Sequence, residues 1–339
     1  MQHRHVPVGH IPVRNAQGKE SQGLESDPTT VEVEGANAGQ RLDRFLAERL
    51  GISRARVRHL LEFGRVSKSE DGARPLELAD KARPTAVGER FAVAGPLRAE
   101  QERPVPRPDL DWRSVAEGPG WVGVDKPAGC GVHPLHPAQQ DTVLNAVVAR
   151  HPEIVGVGEG GLRSGVVHRL DVDTTGALLF GTTEAGWRRL RGAFSAHQVE
   201  KRYLALVRGR FEGEGRIELA LAVRRHRPAR VEVVEPSEGR LCRQRVRALR
   251  RFDGATLVEV ELETGFLHQI RACLSHLGHP VLGDREYGQP DGLASEGAQT
   301  LPRPMLHAAR LVFEEIELSV PPPPDFEAAA AALGQSLDD

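Results

Sequence analysis

The sequence predicts an α+β protein with a larger domain, built on a mainly antiparallel mixed β-sheet flanked by helices, and a small N-terminal α/β module. Three observations support this prediction. After residue 110, apolar runs of strand length outnumber amphipathic helical stretches, which favours antiparallel sheet. Before residue 95, two helical patterns stand next to a few strand-like segments. A proline-rich, charged stretch over 95–110 separates the two regions as a linker.

The N-terminal module is expected over 39–94, after a flexible polar leader over 1–38. The stretch "RLDRFLAERLGISRARVRHLLEFGRV" places apolar residues at helical spacing in two segments. Gly51 is expected to end the first helix, and Ser53 is expected to cap the second. Residues 40–70 contain eight basic side chains against four acidic ones. The module is therefore basic.

The larger domain is expected over 111–320, followed by a flexible tail over 321–339 that contains a short alanine-rich helix. Its strands and helices alternate irregularly along the chain, which is typical of α+β rather than doubly wound folds. Strands are predicted in 121–129, 177–182, 201–209 and on both sides of the Asp253-Gly254 turn, and helices in 142–151, 184–197 and 266–278.

Composition favours a cytoplasmic protein. The three cysteines are odd in number and far apart, which argues for reduced thiols rather than a disulfide framework. The first residues lack the apolar core of a signal peptide, and no run of about eighteen apolar residues could span a membrane. We therefore expect no membrane partner.

Basic residues are concentrated locally although the formal net charge is only −2. Residues 224–251 contain ten arginines and three acidic residues. Such a run is commonly a solvated surface, but arginine is also the favoured partner of phosphate groups. Together with the basic N-terminal module, the run indicates a polyanionic partner.

Residues 168–176 read "HRLDVDTTG" and contain two carboxylates, Asp171 and Asp173. The letters D-x-D-x-T match the signature of haloacid-dehalogenase-like phosphotransferases, which use magnesium. In those enzymes a buried apolar strand precedes the first carboxylate, whereas here His168 and Arg169 interrupt it. This interpretation is therefore disfavoured.

Several histidines raise the question of a metal site. His133 and His136 are three residues apart, as are His276 and His279, and His268 lies near the second pair. A zinc site needs a third protein ligand, for which the sequence offers no clear candidate. Structural or RNA-facing histidines are the favoured interpretation, and no metal or other cofactor is expected.

Four blocks occur in a characteristic order: "DKPAG", "HRLDVDTTG", "KRYLALVRG" and "LETGFLHQIRACLSHLGHPVLGDREYG". In order and wording they resemble the RluA-type pseudouridine synthases, over about Gly39 to Glu317. The basic module resembles the S-four-like RNA-binding domain of many members. The resemblance implies an isomerase that converts uridine to pseudouridine in structured RNA. We also expect the protein to be a monomer. Large-subunit ribosomal RNA is the first expectation and transfer RNA the second. A non-catalytic RNA-binding protein with this fold remains an alternative.

The resemblance also implies roles for individual residues. Asp171 corresponds to the catalytic carboxylate, and Arg271 to the arginine that pairs with it. Tyr203 matches the tyrosine that stacks on the target base and can relay a proton, and Ile270 an apolar residue that packs against uracil. Arg169 matches the arginine that fills the space left when the uridine is flipped out.

Further RNA contacts follow from the same resemblance. His168 is expected to hold the loop or to contact phosphate. Phe266 stands where the family usually has arginine, so a cationic contact is missing or comes from elsewhere, with the 224–251 run as a candidate source. In the N-terminal module, RNA contacts are expected from Arg41, Arg54, Arg56 and Arg58.

Overall fold

The chain divides into two compact units, Met1–Arg98 and Ala99–Asp339. Each unit has its own buried apolar core. The division falls inside the stretch predicted as a linker. The structure, a computed structural model, describes residues 28–69, 75–226, 228–288 and 301–334.

The first unit combines two short helices with a three-stranded sheet. Its elements are β1 (Thr29–Glu32), α1 (Leu42–Leu50), α2 (Arg54–Glu62), β2 (Val66–Lys68), β3 (Arg90–Val93) and 3-10 turns at Gly35–Asn37 and Leu78–Ala82. The strands pair antiparallel in the order β1-β3-β2. Gly51 ends α1 with φ of 63°, and the Ser53 hydroxyl caps α2 by accepting from the Arg56 amide at 3.1 Å. Both predicted helix boundaries are confirmed.

The second unit is built on a ten-stranded sheet. Its strands are β4 (Arg113–Gly118), β5 (Trp121–Lys126), β6 (Thr175–Gly181), β7 (Glu200–Arg208), β8 (Glu214–His226), β9 (Ala229–Val234), β10 (Arg240–Phe252), β11 (Ala255–Leu262), β12 (Leu306–Phe313) and β13 (Ile316–Ser319). The order is β4-β5-β6-β12-β7-β11-β10-β8-β9, with β13 paired to β12. Only the β6–β12 pairing is parallel among the described strand pairs. The predicted mainly antiparallel mixed sheet is confirmed.

Four helices accompany this sheet. They are α3 (Val143–Arg150), α4 (Glu184–Ser195), α5 (Gln269–His276) and α6 (Pro324–Ala332), with 3-10 turns at Ala99–Gln101, Pro152–Ile154 and Gly161–Arg163. Leu190 and Ala193 of α4 share a core with Leu179 of β6. Within the described ranges, no helix is long and apolar enough to cross a membrane.

The structure differs from the sequence-based expectations at the ends of the domains. Strand β1 lies in the expected leader and pairs with β3, so ordered structure begins earlier than residue 39. Residues 99–110 form a 3-10 turn followed by irregular chain that contacts the rest of the second unit, and Asn145 Nδ2 donates to the Val105 carbonyl at 2.8 Å. The expected flexible tail contains α6, whose Phe326 is 3% exposed. Tertiary contacts order these segments despite their polar composition.

Candidate active site

A cleft of about 570 Å³ lies over strand β7 in the second unit. It is bordered by the segment that precedes β6, the C-terminal half of α4, and the segment that leads from β11 into α5. Its volume is in the range of small-ligand sites and can enclose one nucleotide base. The cleft brings together six residues predicted from the sequence, namely His168, Arg169, Asp171, Tyr203, Ile270 and Arg271.

Buried cations hold the loop that carries Asp171. Lys126 of β5 is fully buried, and its Nζ donates to the carbonyls of Val172 at 2.7 Å and Thr174 at 2.9 Å. Arg303 Nη1 donates to the Asp173 carbonyl at 3.3 Å. Burial lowers the pKa of Lys126 to about 8, but this value is still above neutral pH, so the ammonium form predominates. These two cations therefore hold the loop through its backbone carbonyls and not through the side chains of Asp171 and Asp173.

Replacing Lys126 by methionine should loosen this loop. The change leaves buried carbonyls without a donor, which we expect to cost about 2–4 kcal/mol of folding free energy. A small displacement of a reacting carboxylate can also lower turnover by about 100-fold. Thermal unfolding and single-turnover assays would measure both effects. Arg188→Met, an exposed cation on α4, is the control, and a Lys126→Met variant that matches it in both assays would contradict this role for Lys126.

Asp171 lies beside a guanidinium that a second carboxylate holds in place. Arg271 Nη1 donates to Asp171 Oδ2 at 3.2 Å. The same arginine binds Asp284 through two bonds, Nε to Oδ2 at 2.6 Å and Nη2 to Oδ1 at 2.9 Å. Burial opposes the charge of Arg271, but the contacts with Asp284 and Asp171 together outweigh it and raise the pKa of the guanidinium. The predicted pairing of Asp171 with Arg271 is present in the structure.

Asp284 was not singled out by the sequence analysis, although it lies in the quoted block "GDREYG". Its side chain is fully buried and accepts from the amides of Glu286 at 3.0 Å and Tyr287 at 3.1 Å. These bonds compensate for burial of the carboxylate. The turn over 279–288 brings Asp284 back to Arg271 on α5. In the sequence, only the short distance between Asp284 and the segment "HQIR" could have suggested this contact.

His268 also faces Asp171, at the end of a chain of hydrogen bonds. The Tyr287 hydroxyl accepts from the Val231 amide at 2.8 Å and lies 2.9 Å from His268 Nδ1. When the hydroxyl donates to Nδ1, the neutral ring carries its proton on Nε2. His268 Nε2 is 3.9 Å from Asp171 Oδ2. Burial lowers the pKa of His268, so the neutral ring predominates at neutral pH.

Tyr203 and Ile270 form apolar walls of the cleft. Tyr203 is 8% exposed and Ile270 is 5% exposed. Burial, together with the nearby charge of Asp171, raises the pKa of the Tyr203 hydroxyl, so this group keeps its proton. The two side chains leave a flat apolar surface beside a carboxylate, which suits the faces of a nucleobase.

Arg169 and His168 differ in their surroundings. Arg169 is exposed on the cleft, and no described residue forms a hydrogen bond or ion pair with its side chain. His168 Nε2 accepts from the Leu179 amide at 3.0 Å, and its ring stacks on Phe194 with centroids 4.3 Å apart. Burial, then the charge of Lys201, lowers the pKa of His168 to about 3. Of its two expected roles, the geometry favours holding the loop over contacting phosphate.

The four predicted arginines of the first unit fall into two groups. Arg41, Arg54 and Arg58 lie 3.2, 2.9 and 3.5 Å from the carboxylate of Asp43, whose side chain is fully buried. Burial opposes this charge, but Arg41 and Arg54 lower the pKa of Asp43 to about 2. Arg56 instead donates to the carbonyls of Leu97 and Pro96, and these bonds tie the C-terminal end of the first unit to α2. RNA binding by these residues stays a prediction.

The alternative interpretations find little support in the geometry. Asp173 is exposed and does not line the cleft, so it does not form a pair with Asp171 there. Within the described ranges, no three His, Cys, Asp or Glu side chains gather as a set of metal ligands.

Comparisons with known proteins agree with this arrangement. A family model described as RNA pseudouridylate synthase matches residues 120–276. An uncharacterized RNA pseudouridine synthase of Chloroflexus aurantiacus is 37% identical over 289 residues, which is 85% of this chain and 86% of the relative. A ribosomal large subunit pseudouridine synthase D of Pseudomonas aeruginosa is 32% identical over 285 residues, which is 82% and 85% of the two chains.

A solved structure shows the same fold. Human RNA pseudouridylate synthase domain containing 1 superposes with a TM-score of 0.52 at 26% sequence identity. The match covers 67% of this chain and 92% of the human chain.

Proposed function

The chain belongs to the family of RNA pseudouridine synthases, and from this we propose that it isomerises specific uridines in large-subunit ribosomal RNA. The observation that carries the choice of RNA is the set of relatives named ribosomal large subunit pseudouridine synthase D. That from Vibrio parahaemolyticus is 31% identical over 91% of this chain and 96% of its own length. The cleft with a single reactive carboxylate supports the reaction itself.

In the proposed reaction a uridine leaves the RNA stack and enters the cleft. Flipping a base from structured RNA costs about a few kcal/mol, and stacking on Tyr203 offsets part of this cost. Ile270 packs against the uracil. Arg169, exposed beside the catalytic loop, fills the vacated position with its flat guanidinium.

The isomerisation breaks the bond between the ribose C1′ and uracil N1, and a bond from C1′ to C5 replaces it after the base turns. The proton that leaves C5 is balanced by the proton that N1 gains, so no redox partner is needed. Three routes use Asp171: attack on the sugar, attack on the uracil ring, or removal of a sugar proton. In each route Arg271 keeps the carboxylate oriented and compensates its charge.

The choice of RNA can be tested with purified protein. We would incubate the protein with a transcript of large-subunit ribosomal RNA and, separately, with a pool of unmodified transfer RNA transcripts. Chemical mapping of pseudouridine should find one or a few sites in the ribosomal transcript. Modification of the transfer RNA pool alone would contradict the proposed substrate.

A further inference from the structure

The charges that line the cleft are strongly unbalanced. Asp171 is the one carboxylate among the described lining residues, whereas five of them carry a positive charge at neutral pH. A concave surface of one sign attracts ligands of the opposite sign. The five cationic side chains are Arg169, Arg191, Lys201, Arg240 and Arg271.

Three of these cations already have a partner or an assigned place. Arg271 binds both Asp171 and Asp284. Arg191 Nη1 donates to the Val167 carbonyl at 3.3 Å. Arg169 has the stack-filling role proposed above. Lys201 and Arg240 remain to be explained.

Lys201 is a largely buried lysine that lines the cleft, and its amine has no described partner. It lies on β7 two residues before Tyr203, so both side chains share the face of the strand that lines the cleft. Lys201 is only 8% exposed, yet no described residue forms a hydrogen bond or an ion pair with its amine. Burial lowers its pKa to about 8. An unpaired buried cation is costly unless a ligand supplies the counter-charge.

Arg240 differs from the arginines that follow it on β10. Arg243, Arg245 and Arg247 point to the opposite face of the strand and pair with Glu218, Glu263 and Glu259 at 2.7, 3.2 and 2.9 Å. Arg240 shares the inner face with the buried Cys242 and Gln244, and it lines the cleft together with Phe266. It has no acidic partner among the described residues, so its guanidinium is available to a ligand.

We propose that Lys201 and Arg240 bind phosphate groups of the RNA backbone next to the flipped uridine. This proposal rests on the proposed function, because it takes RNA as the ligand. A phosphate would supply the negative charge that both side chains lack. Arginine can bind it through two parallel bonds, and lysine binds it as a point charge.

The test measures how RNA binding depends on salt. Each lost phosphate contact should lower the slope of log Kd against log salt concentration by about 0.7–0.9. We would titrate a large-subunit ribosomal RNA transcript with the full-length protein and with Lys201→Met and Arg240→Met at several salt concentrations. Each substitution should weaken binding several-fold and reduce the slope, and the double variant should lose both contributions.

Arg243→Met is the matched control, since it removes a charge from the same strand on the outer face, and its slope should equal that of the native protein. Lys201→Arg should keep the slope and thereby exclude a loss caused by misfolding. Wild-type slopes in both methionine variants would overturn the proposal. Mapping pseudouridine in the same transcript tests the proposed function separately. An RNA that binds without being modified would contradict the proposed function but not the phosphate contacts of Lys201 and Arg240.

Discussion

Asp171→Asn should abolish pseudouridine formation while the protein still folds and binds RNA. The amide keeps the size of the carboxylate but can neither attack nor accept a proton as the carboxylate does, so we expect turnover to fall by about 10⁴-fold or more. The ion pair with Arg271 becomes a weaker hydrogen bond from the guanidinium to an uncharged amide oxygen, and no new cavity forms. Single-turnover assays with a ribosomal RNA transcript would measure the loss.

The sequence offers a matched control in Asp173→Asn. Asp173 belongs to the same loop, but its carboxylate is exposed and does not line the cleft. Its turnover should stay within about twofold of the native rate, as for most surface substitutions. If the two variants lost activity equally, Asp171 would have no special role, and a role for the carboxylate pair would return.

Arg271→Ala should likewise eliminate turnover, and it should also destabilise the second unit. Removing one partner of a buried ion pair costs about 3–5 kcal/mol because the other charge is stranded. Here the stranded charge is Asp284, whose side chain is fully buried. RNA affinity should stay within about tenfold of that of the native protein, which corresponds to roughly 1.4 kcal/mol. The reason is that Arg271 binds two carboxylates of the protein itself.

A double variant separates the catalytic effect of Arg271 from its effect on folding. In Arg271→Ala combined with Asp284→Asn, the stranded charge is gone, so much of the lost stability should return. Turnover should remain absent because Asp171 still lacks its cation. Thermal unfolding and single-turnover rates would be compared across both variants, and native turnover in the double variant would refute the pairing as a catalytic requirement.

Local patterns in the sequence predicted the elements that local chemistry determines. Gly51 and Ser53 set the boundaries of α1 and α2 because a left-handed residue and a capping hydroxyl act within one turn. The cleft residues were found in a different way. Asp171, Tyr203 and Arg271 are far apart in the chain, and only the resemblance of four motifs to a known family predicted that they lie together.

Local sequence patterns could not predict ion pairs between residues that are far apart in the chain. The 224–251 run appeared strongly basic, but Glu218, Glu259 and Glu263 neutralise three of its arginines from neighbouring strands. A count of charges along residues 224–251 cannot include carboxylates of other segments that the sheet places beside these arginines. The hairpin of β8 and β9 was not predicted either, although β8 contains the apolar run "LALAV" over 219–223.

The role of the chain's C-terminal part was also hidden from local reasoning. Arg303 binds Asp325 of α6 through two bonds, Nε to Oδ2 at 2.7 Å and Nη2 to Oδ1 at 2.9 Å. The same guanidinium donates to the carbonyl of Asp173 in the loop that carries Asp171. A proline-rich stretch followed by alanines suggests a loose tail, and only the fold shows that α6 helps to hold this loop.

The most direct test of this account is a pseudouridine map of total RNA from cells that carry the native protein, Asp171→Asn or Asp173→Asn. We predict that one or a few sites in large-subunit ribosomal RNA disappear with Asp171→Asn and remain with Asp173→Asn. Identical maps for the native protein and Asp171→Asn would contradict the account.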